Sequence, residues 1–142
     1  MSIFISSDFH YGHTNICGPK VSSWDSGYRD FESVKDMNNC IVDSVNSNVK
    51  RSDILYFLGD WSFGGKDNIK LLRDRLFVEK IIFIRGNHDK HIKEYSSLFT
   101  EIHDFLEVYI HNKLFVMCHY ALRVWNASHR GSLHCYGHSH HS

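Results

Sequence analysis

The sequence predicts an α/β fold, a mixed sheet or two packed sheets with flanking helices, and three observations predict it. Short apolar runs rich in β-branched and aromatic residues recur along the chain. Two of the stretches between them carry apolar residues at helical spacing. Each run then stops abruptly at Gly, Asp, Asn or His, so polar side chains are delivered at strand ends, where open α/β sheets place ligands.

The clearest run is Ile81-Ile82-Phe83-Ile84-Arg85, which breaks at Gly86 and releases Asn87-His88-Asp89. Residues 2–7 read as the first strand, followed by a loop from Asp8 to about Lys20 that carries His10, His13 and Asn15. A helix is predicted from Asp30 as N-cap to about Val49, its stripe of Phe31, Val34, Met37, Ile41 and Val45 facing the core. Residues 54–58 form a strand running into Gly59-Asp60, and Gly64-Gly65 a loop. A shorter helix runs from Asn68 to about Phe77, packing through Ile69, Leu72 and Leu76, and residues 80–84 make the next strand. Phe105–Ile110 and Lys113–Cys118 flank His111-Asn112, a gap suited to a hairpin. The last run, Leu133–Tyr136, leads into Gly137-His138-Ser139-His140. The order is therefore β-loop-α-β-α-β followed by antiparallel strands.

At 142 residues, with 42% hydrophobic and 14% aromatic content, the chain reads as one globular domain over 1–142 and not as a disordered segment. Sixteen basic and sixteen acidic residues cancel, which argues against long nucleic acid or an anionic membrane as partner. The N-terminus has no basic segment and only a short apolar run, so neither signal peptide nor membrane span is expected. Four cysteines without CxxC spacing indicate free thiols and a cytoplasmic setting. Twelve histidines are the compositional anomaly, and neutral imidazole is the commonest metal ligand.

Taken singly, the polar tips are weak signals. Asp8-x-His10 places two side chains on one side if the backbone stays extended, so that both can reach one cation. Gly59-Asp60 is an ordinary turn, and a lone His119 after a strand is more often a core histidine than a ligand. Two imidazoles beside Gly137 are more specific. Their joint occurrence at successive strand ends decides the matter in favour of a metal site.

Asp8-x-His10, Gly59-Asp60, Gly86-Asn87-His88-Asp89, His119 and Gly137-His138-Ser139-His140 resemble the five signature blocks of the calcineurin-like metallophosphoesterase superfamily. The stretches from Ser7 to Ile16 and from His119 to Trp125 are similar to small phage and bacterial members, which points to a viral source and a host cytoplasm. The resemblance implies a four-layer α/β/β/α sandwich of two mixed sheets with the site along one edge. It assigns Asp8, His10 and His140 to one metal, Asn87, His119 and His138 to another, and Asp60 to both as the bridge. It places His88 near the substrate without ligating metal. Relatives usually continue past the final block, so one or two C-terminal strands are expected to be missing here, or a second subunit to cover an exposed sheet edge as a homo-oligomer.

The implied cofactors are two divalent ions, manganese ahead of iron, zinc or nickel, because the ligands are carboxylate, amide oxygen and imidazole with no thiolate. Such a pair, roughly 3.5–4 Å apart, clamps the attacking and leaving oxygens of an in-line displacement and lowers the pKa of bridging water. The expected activity is therefore phosphoester hydrolysis, of a mono- or diester, with small nucleotidic substrates preferred. Asp60 and His88 carry the catalysis, His88 as proton donor to the leaving alkoxide. Asp89 either orients the His88 ring or caps the following segment. His13 and Arg123 are candidate substrate contacts, the second because guanidinium grips phosphate oxygens. Lys90, His91, Arg130, His129 and His134 form a candidate positive rim, and Trp61 is expected in the core. A phosphoprotein phosphatase is the weaker alternative, since Asp60 is followed by Trp61-Ser62-Phe63 with no Asp three residues on. A metal-stabilised binding module without catalysis is the non-enzymatic one.

Overall fold

A computed structural model describes residues 1–23 and 29–140. Its strands are β1 (Ile3–Ser6), β2 (Ile54–Phe57), β3 (Lys80–Ile84), β4 (Glu101–His103), β5 (Phe105–Ile110), β6 (Lys113–Cys118) and β7 (Leu133–Cys135). Helices α1 (Val34–Asn48) and α2 (Asp67–Arg75) join the early strands, and three short 3-10 segments lie in loops. The two strands of the hairpin and β3 fall where the apolar runs predict them. β4 is the strand that pattern reading missed, because Glu101-Ile102-His103 is too short and too polar to show alternation.

Two sheets form, one in the order β1-β2-β3-β4 and one in the order β5-β6-β7. The first is parallel throughout, not mixed as expected. In the second, β5 and β6 pair antiparallel while β7 returns parallel to β6, so the chain after the hairpin is not simply antiparallel. The parallel return matters for function. It brings the carboxyl ends of β6 and β7 to the same edge, so that His119 and the His138–His140 segment emerge side by side. Direct bonds tie the tips together, with Asp8 N–H donating to Gly59 O at 2.8 Å and Gly137 N–H to His119 O at 3.0 Å.

Strand alternation sorts the core into two faces. Leu55, Phe57, Ile81 and Phe83 point to one side and pack with Val42, Val45 and Val49 at the end of α1 and with Ile69 and Leu72 of α2. Tyr56, Leu58, Ile82 and Ile84 point to the other and meet Ile110, Met117 and Val108 of the second sheet. Both helices thus cover one face of the parallel sheet. Among the described residues no α-helix covers the outer face of the second sheet. The loop from His119 to Ser132 lies there in place of the expected fourth layer. It is fastened by Leu122 N–H to His134 Nε2 (3.0 Å), Asn126 Nδ2 to Glu107 (3.1 Å), and the Trp125 ring 5.3 Å from that of His134.

The N-terminus of α1 differs from expectation. Ser33, not Asp30, is the N-cap, its Oγ accepting from Asp36 N–H at 3.0 Å. Phe31 N–H instead bonds Cys17 O, which keeps that segment in the loop. The first turns of α1 then pack Met37 on Ile16 and Cys17, holding the β1–α1 loop beneath the tips. None of the described helices is long and apolar enough to cross a membrane. Ser33→Ala is expected to destabilise the protein by about 1 kcal/mol. Asp30→Ala should change it by less than about 0.5 kcal/mol, as for a surface position. Urea titration of both variants checks the assignment.

Candidate metal centre

Left-handed backbone builds the site. Asp8 (φ 55°), His10 (φ 51°), Asp60 (φ 62°), His138 (φ 68°) and His140 (φ 43°) all lie in a region that non-glycine residues rarely adopt. The expectation that Asp8 and His10 converge by extended alternation is thus corrected: the chain turns at both residues, and the turn aims them. Gly86 and Gly137 leave the space this requires. A methyl group on Gly86 would run into the Asp60 carboxylate, and one on Gly137 into that of Asp8.

Six side chains gather in two groups, Asp8, His10 and His140 in one, and Asp60, His119 and His138 in the other. Asp60 joins them. Its Oδ2 lies 3.4 Å from His10 Nε2 and 3.3 Å from His119 Nε2, so it faces both groups. In the first group Asp8 Oδ1 lies 3.7 Å from His10 Nε2 and 3.5 Å from His140 Nε2. In the second, Asn87 Oδ1 is 3.1 Å from His119 Nε2. All seven predicted ligands are therefore brought together. The inner ones are deeply enclosed, with side-chain exposures of 2% for Asp60, 5% for His10 and 1% for His119.

The charge balance of this cluster shows what it can hold. Burial alone would raise the Asp60 carboxyl, but the His10 and His119 rings and the His88 N–H hold it well below the usual carboxylate range. Asp8 is lowered in the same way, burial being outweighed by His10, Ser7 and the His138 N–H. Burial would lower His10 and His119, yet the neighbouring carboxylates raise both. His119 Nδ1 faces Leu58 O at 2.6 Å, which directs Nε2 at two oxygens that can only accept. Only a positive charge, proton or metal, satisfies three acceptors facing one another. His10 Nε2 is buried and has no hydrogen-bond partner. An oxygen and nitrogen donor set with such an orphaned atom fits a divalent cation.

Asp89 does neither of the two things expected of it. Buried between the tips, its carboxylate accepts from Asp60 N–H (2.7 Å), Trp61 N–H (3.0 Å) and Gly86 N–H (2.7 Å). It locks the tip of β2 to the tip of β3. Trp61 is fully buried, its Nε1 donating to Ile69 O at 3.1 Å, as expected of a core residue.

His88 is exposed and belongs to neither ligand group. Its N–H donates to Asp60 Oδ1 at 3.0 Å, and its ring centroid lies 5.6 Å from that of His10. His13 is buried, with Nδ1 2.9 Å from His10 Nδ1 and its ring stacked 4.0 Å from Phe63. Burial and the nearby His10 and His88 push its pKa down to about 4. Arg123 is exposed on the loop after His119. Of the suggested positive rim, His134 drops out, because its Nδ1 faces Val116 O at 2.9 Å while Nε2 accepts from Leu122 N–H. His91 is paired with Glu94 at 3.2 Å. His141 lies outside the described residues.

Arg29 was not foreseen. Its guanidinium donates to Asp8 O (2.7 Å) and Phe9 O (2.8 Å), bracing the turn that aims Asp8 and His10. It stands in a loop, far from Asp8 in sequence and in no motif, so nothing in the chain announces it. Ser7 Oγ, which donates to Asp8 Oδ2 at 2.6 Å, could have been suspected from adjacency alone.

Fold and site define an α/β protein whose metal-type ligands meet at one common strand edge. The sequence model of the calcineurin-like phosphoesterase superfamily domain matches residues 1–142, and the chain belongs to that superfamily, whose members are generally metal-dependent phosphoesterases. An uncharacterized protein of Methanocaldococcus jannaschii is 35% identical over 112 residues, covering 78% of this chain and 58% of its own length. This chain thus spans little more than half of that relative. A protein of unknown function from Aquifex aeolicus shares the fold with a TM-score of 0.62 at 23% identity, covering 84% of this chain and 61% of the other.

Removing Asp89 leaves three backbone N–H groups without an acceptor at a buried position. Asp89→Ala is expected to destabilise the protein by about 3 kcal/mol, read from denaturant unfolding. A loss below about 1 kcal/mol would mean that water replaces the carboxylate and that the tips are not locked there.

Proposed function

We propose that this protein is a phosphoesterase using two divalent ions, manganese first, to hydrolyse a phosphomono- or phosphodiester, with small nucleotidic compounds as substrates. The observation that carries the reading is Asp60 Oδ2, set within 3.4 Å of His10 and 3.3 Å of His119, each from a different ligand group. One buried carboxylate oxygen aimed at both groups is what a bridge between two cations requires. In this reading Asp8, His10 and His140 hold one ion, Asn87, His119 and His138 the other, and Asp60 both.

Divalent ions bound there would supply charge neutralisation for the phosphoester and a water of lowered pKa as nucleophile at neutral pH. The chain's own residues do the rest. Asp89 and Arg29 fix the tips, His119 is held in one orientation by Leu58 O, and His13 steadies the His10 ring through its Nδ1. His88, exposed at the rim yet tied to Asp60 through its N–H, gives its proton to the leaving oxygen as the P–O bond breaks. Arg123, exposed on the loop after His119, is the residue we assign to a non-bridging phosphate oxygen. The four-layer form of the sandwich belongs to this same reading.

Asp60→Asn is expected to lose at least one ion by elemental analysis of the purified protein. Retention of both at full occupancy would refute the bridge. His88→Ala is expected to keep both ions and to lower kcat on bis(p-nitrophenyl) phosphate by about 10²–10⁴-fold. If its metal content falls instead, His88 is a ligand and not a proton donor.

A further inference from the structure

Beside His88 lies a cavity of about 370 Å³ lined by Phe63, Gly64, Gly65, Lys66, Ile69 and His91. Phe63 stands between this space and the candidate metal centre. One face stacks on buried His13 (4.0 Å between centroids, 19° between planes), and the His88 ring lies 5.2 Å away, nearly perpendicular at 80°. Phe63 is nevertheless 40% exposed. The main chain behind it is anchored, since Phe63 N–H donates to Tyr11 O at 2.8 Å and Phe63 O accepts from Asn68 Nδ2 at 2.7 Å. The ring is therefore a fixed apolar surface next to the residue assigned as proton donor. A side chain held this way loses little freedom when something stacks on it.

Two polar side chains near the cavity share one carboxylate. Lys66 Nζ lies 3.3 Å from Glu94 Oε2, and His91 Nδ1 lies 3.2 Å from Glu94 Oε1. The Lys66 ammonium is thus paired with Glu94, so the wall offers no unpaired lysine to a second phosphate. Adding Cβ at Gly65 would meet nothing within 4 Å, so the far side is open and admits a flat group.

We infer that Phe63 is the stacking platform for the leaving group, and that this group is planar and uncharged, a nucleoside or an aryl alcohol. The inference rests on the phosphoesterase reading, which puts the leaving oxygen at His88. In the step concerned, a water that has given one proton to solvent bonds through its oxygen to phosphorus, the P–O bond to the leaving group breaks with its electron pair on the leaving oxygen, and the leaving oxygen takes the proton of His88, which solvent restores. The released alcohol then lies over Phe63. Stacking on a rigid aromatic face discriminates planar groups from alkyl ones without reading their hydrogen-bonding edges.

The test uses the manganese-loaded full chain, Phe63→Leu, which keeps apolar volume without a π-face, and Phe63→Trp, which keeps the face. On bis(p-nitrophenyl) phosphate, Phe63→Leu is expected to raise KM at least fivefold while Phe63→Trp stays within twofold of the parent. On glycerophosphoethanolamine, whose leaving groups are alkyl, both variants should match the parent in KM. Adenosine alone, followed by isothermal titration calorimetry, should bind the parent and bind Phe63→Leu at least fivefold more weakly. Equal KM changes on the two substrates, or adenosine binding that is absent or indifferent to the substitution, would overturn the platform. Adenosine binding that follows the ring, with no phosphoester turned over by the parent, would instead sink the phosphoesterase reading and leave the platform standing.

Discussion

The structure depends on one constraint: negative and acceptor groups are buried together, and backbone N–H groups must hold them there. Asp89 is the centre of this arrangement. It spends its carboxylate on three N–H groups from two strand tips, so the loops after β2 and β3 behave as one body. Asp60 is the next member outward, receiving the His88 N–H on Oδ1 and leaving Oδ2 to face His10 and His119. Asp8 repeats the pattern at the other end, bound by Ser7 Oγ and the His138 N–H. In Asp60 and Asp8, unlike Asp89, one oxygen is fixed by the protein and the other is left facing the ligand rings. An unpaired buried charge is too costly to persist, so the remaining oxygens demand a cation.

That demand explains the backbone. Five residues of the cluster occupy the left-handed region at a cost of roughly 1 kcal/mol each relative to ordinary turns. Asp and His tolerate this better than branched residues, and the surrounding core supplies the compensation. Phe57, Trp61, Phe83 and Phe99 form a buried aromatic cluster under the β2 and β3 tips. Phe9, between Asp8 and His10 in sequence, packs into the same cluster 4.5 Å from Phe57. Metal-facing and core-facing side chains thus alternate through the same short segment, and the core enforces the turn.

Much of the site was legible because strand and tip are coded together. A parallel strand buried on both faces reads as a continuous apolar run, so its end is sharp and the polar residues after it stand out. That logic located Asp8, Asp60, Asn87, His119 and the His138–His140 pair without coordinates. It failed where the determinant was not local. Arg29 contributes through two backbone carbonyls and bears no motif, and Asp89 sits inside a signature block whose obvious reading was a neighbour for His88. The N-cap at Ser33 was missed because Asp30 is an equally good cap by type, and the choice is made by Phe31 bonding back to Cys17. The parallel return of β7 was missed for a different reason. Direction of pairing depends on the crossing of the loop over the second sheet, which alternation cannot show.

That crossing links the fold's least regular part to its chemistry. Where a helix was expected to cover β5-β6-β7, the chain instead lays down a loop held by His134, whose two ring nitrogens are both bonded to backbone. Both ring nitrogens are thus committed to the main chain, so the ring contributes structure to the loop and offers no free nitrogen to the rim. The same loop begins at His119 and returns at β7, so its packing sets the separation between His119 and His138, whose rings lie 5.2 Å apart. On the opposite flank, Phe63 and His13 cover His10. The centre is therefore closed below by the aromatic core and flanked by two irregular segments, while Asn87, His88 and His138 stand exposed around its rim. In the proposed reaction the departing alcohol would leave past this rim, where the His88 imidazole is exposed.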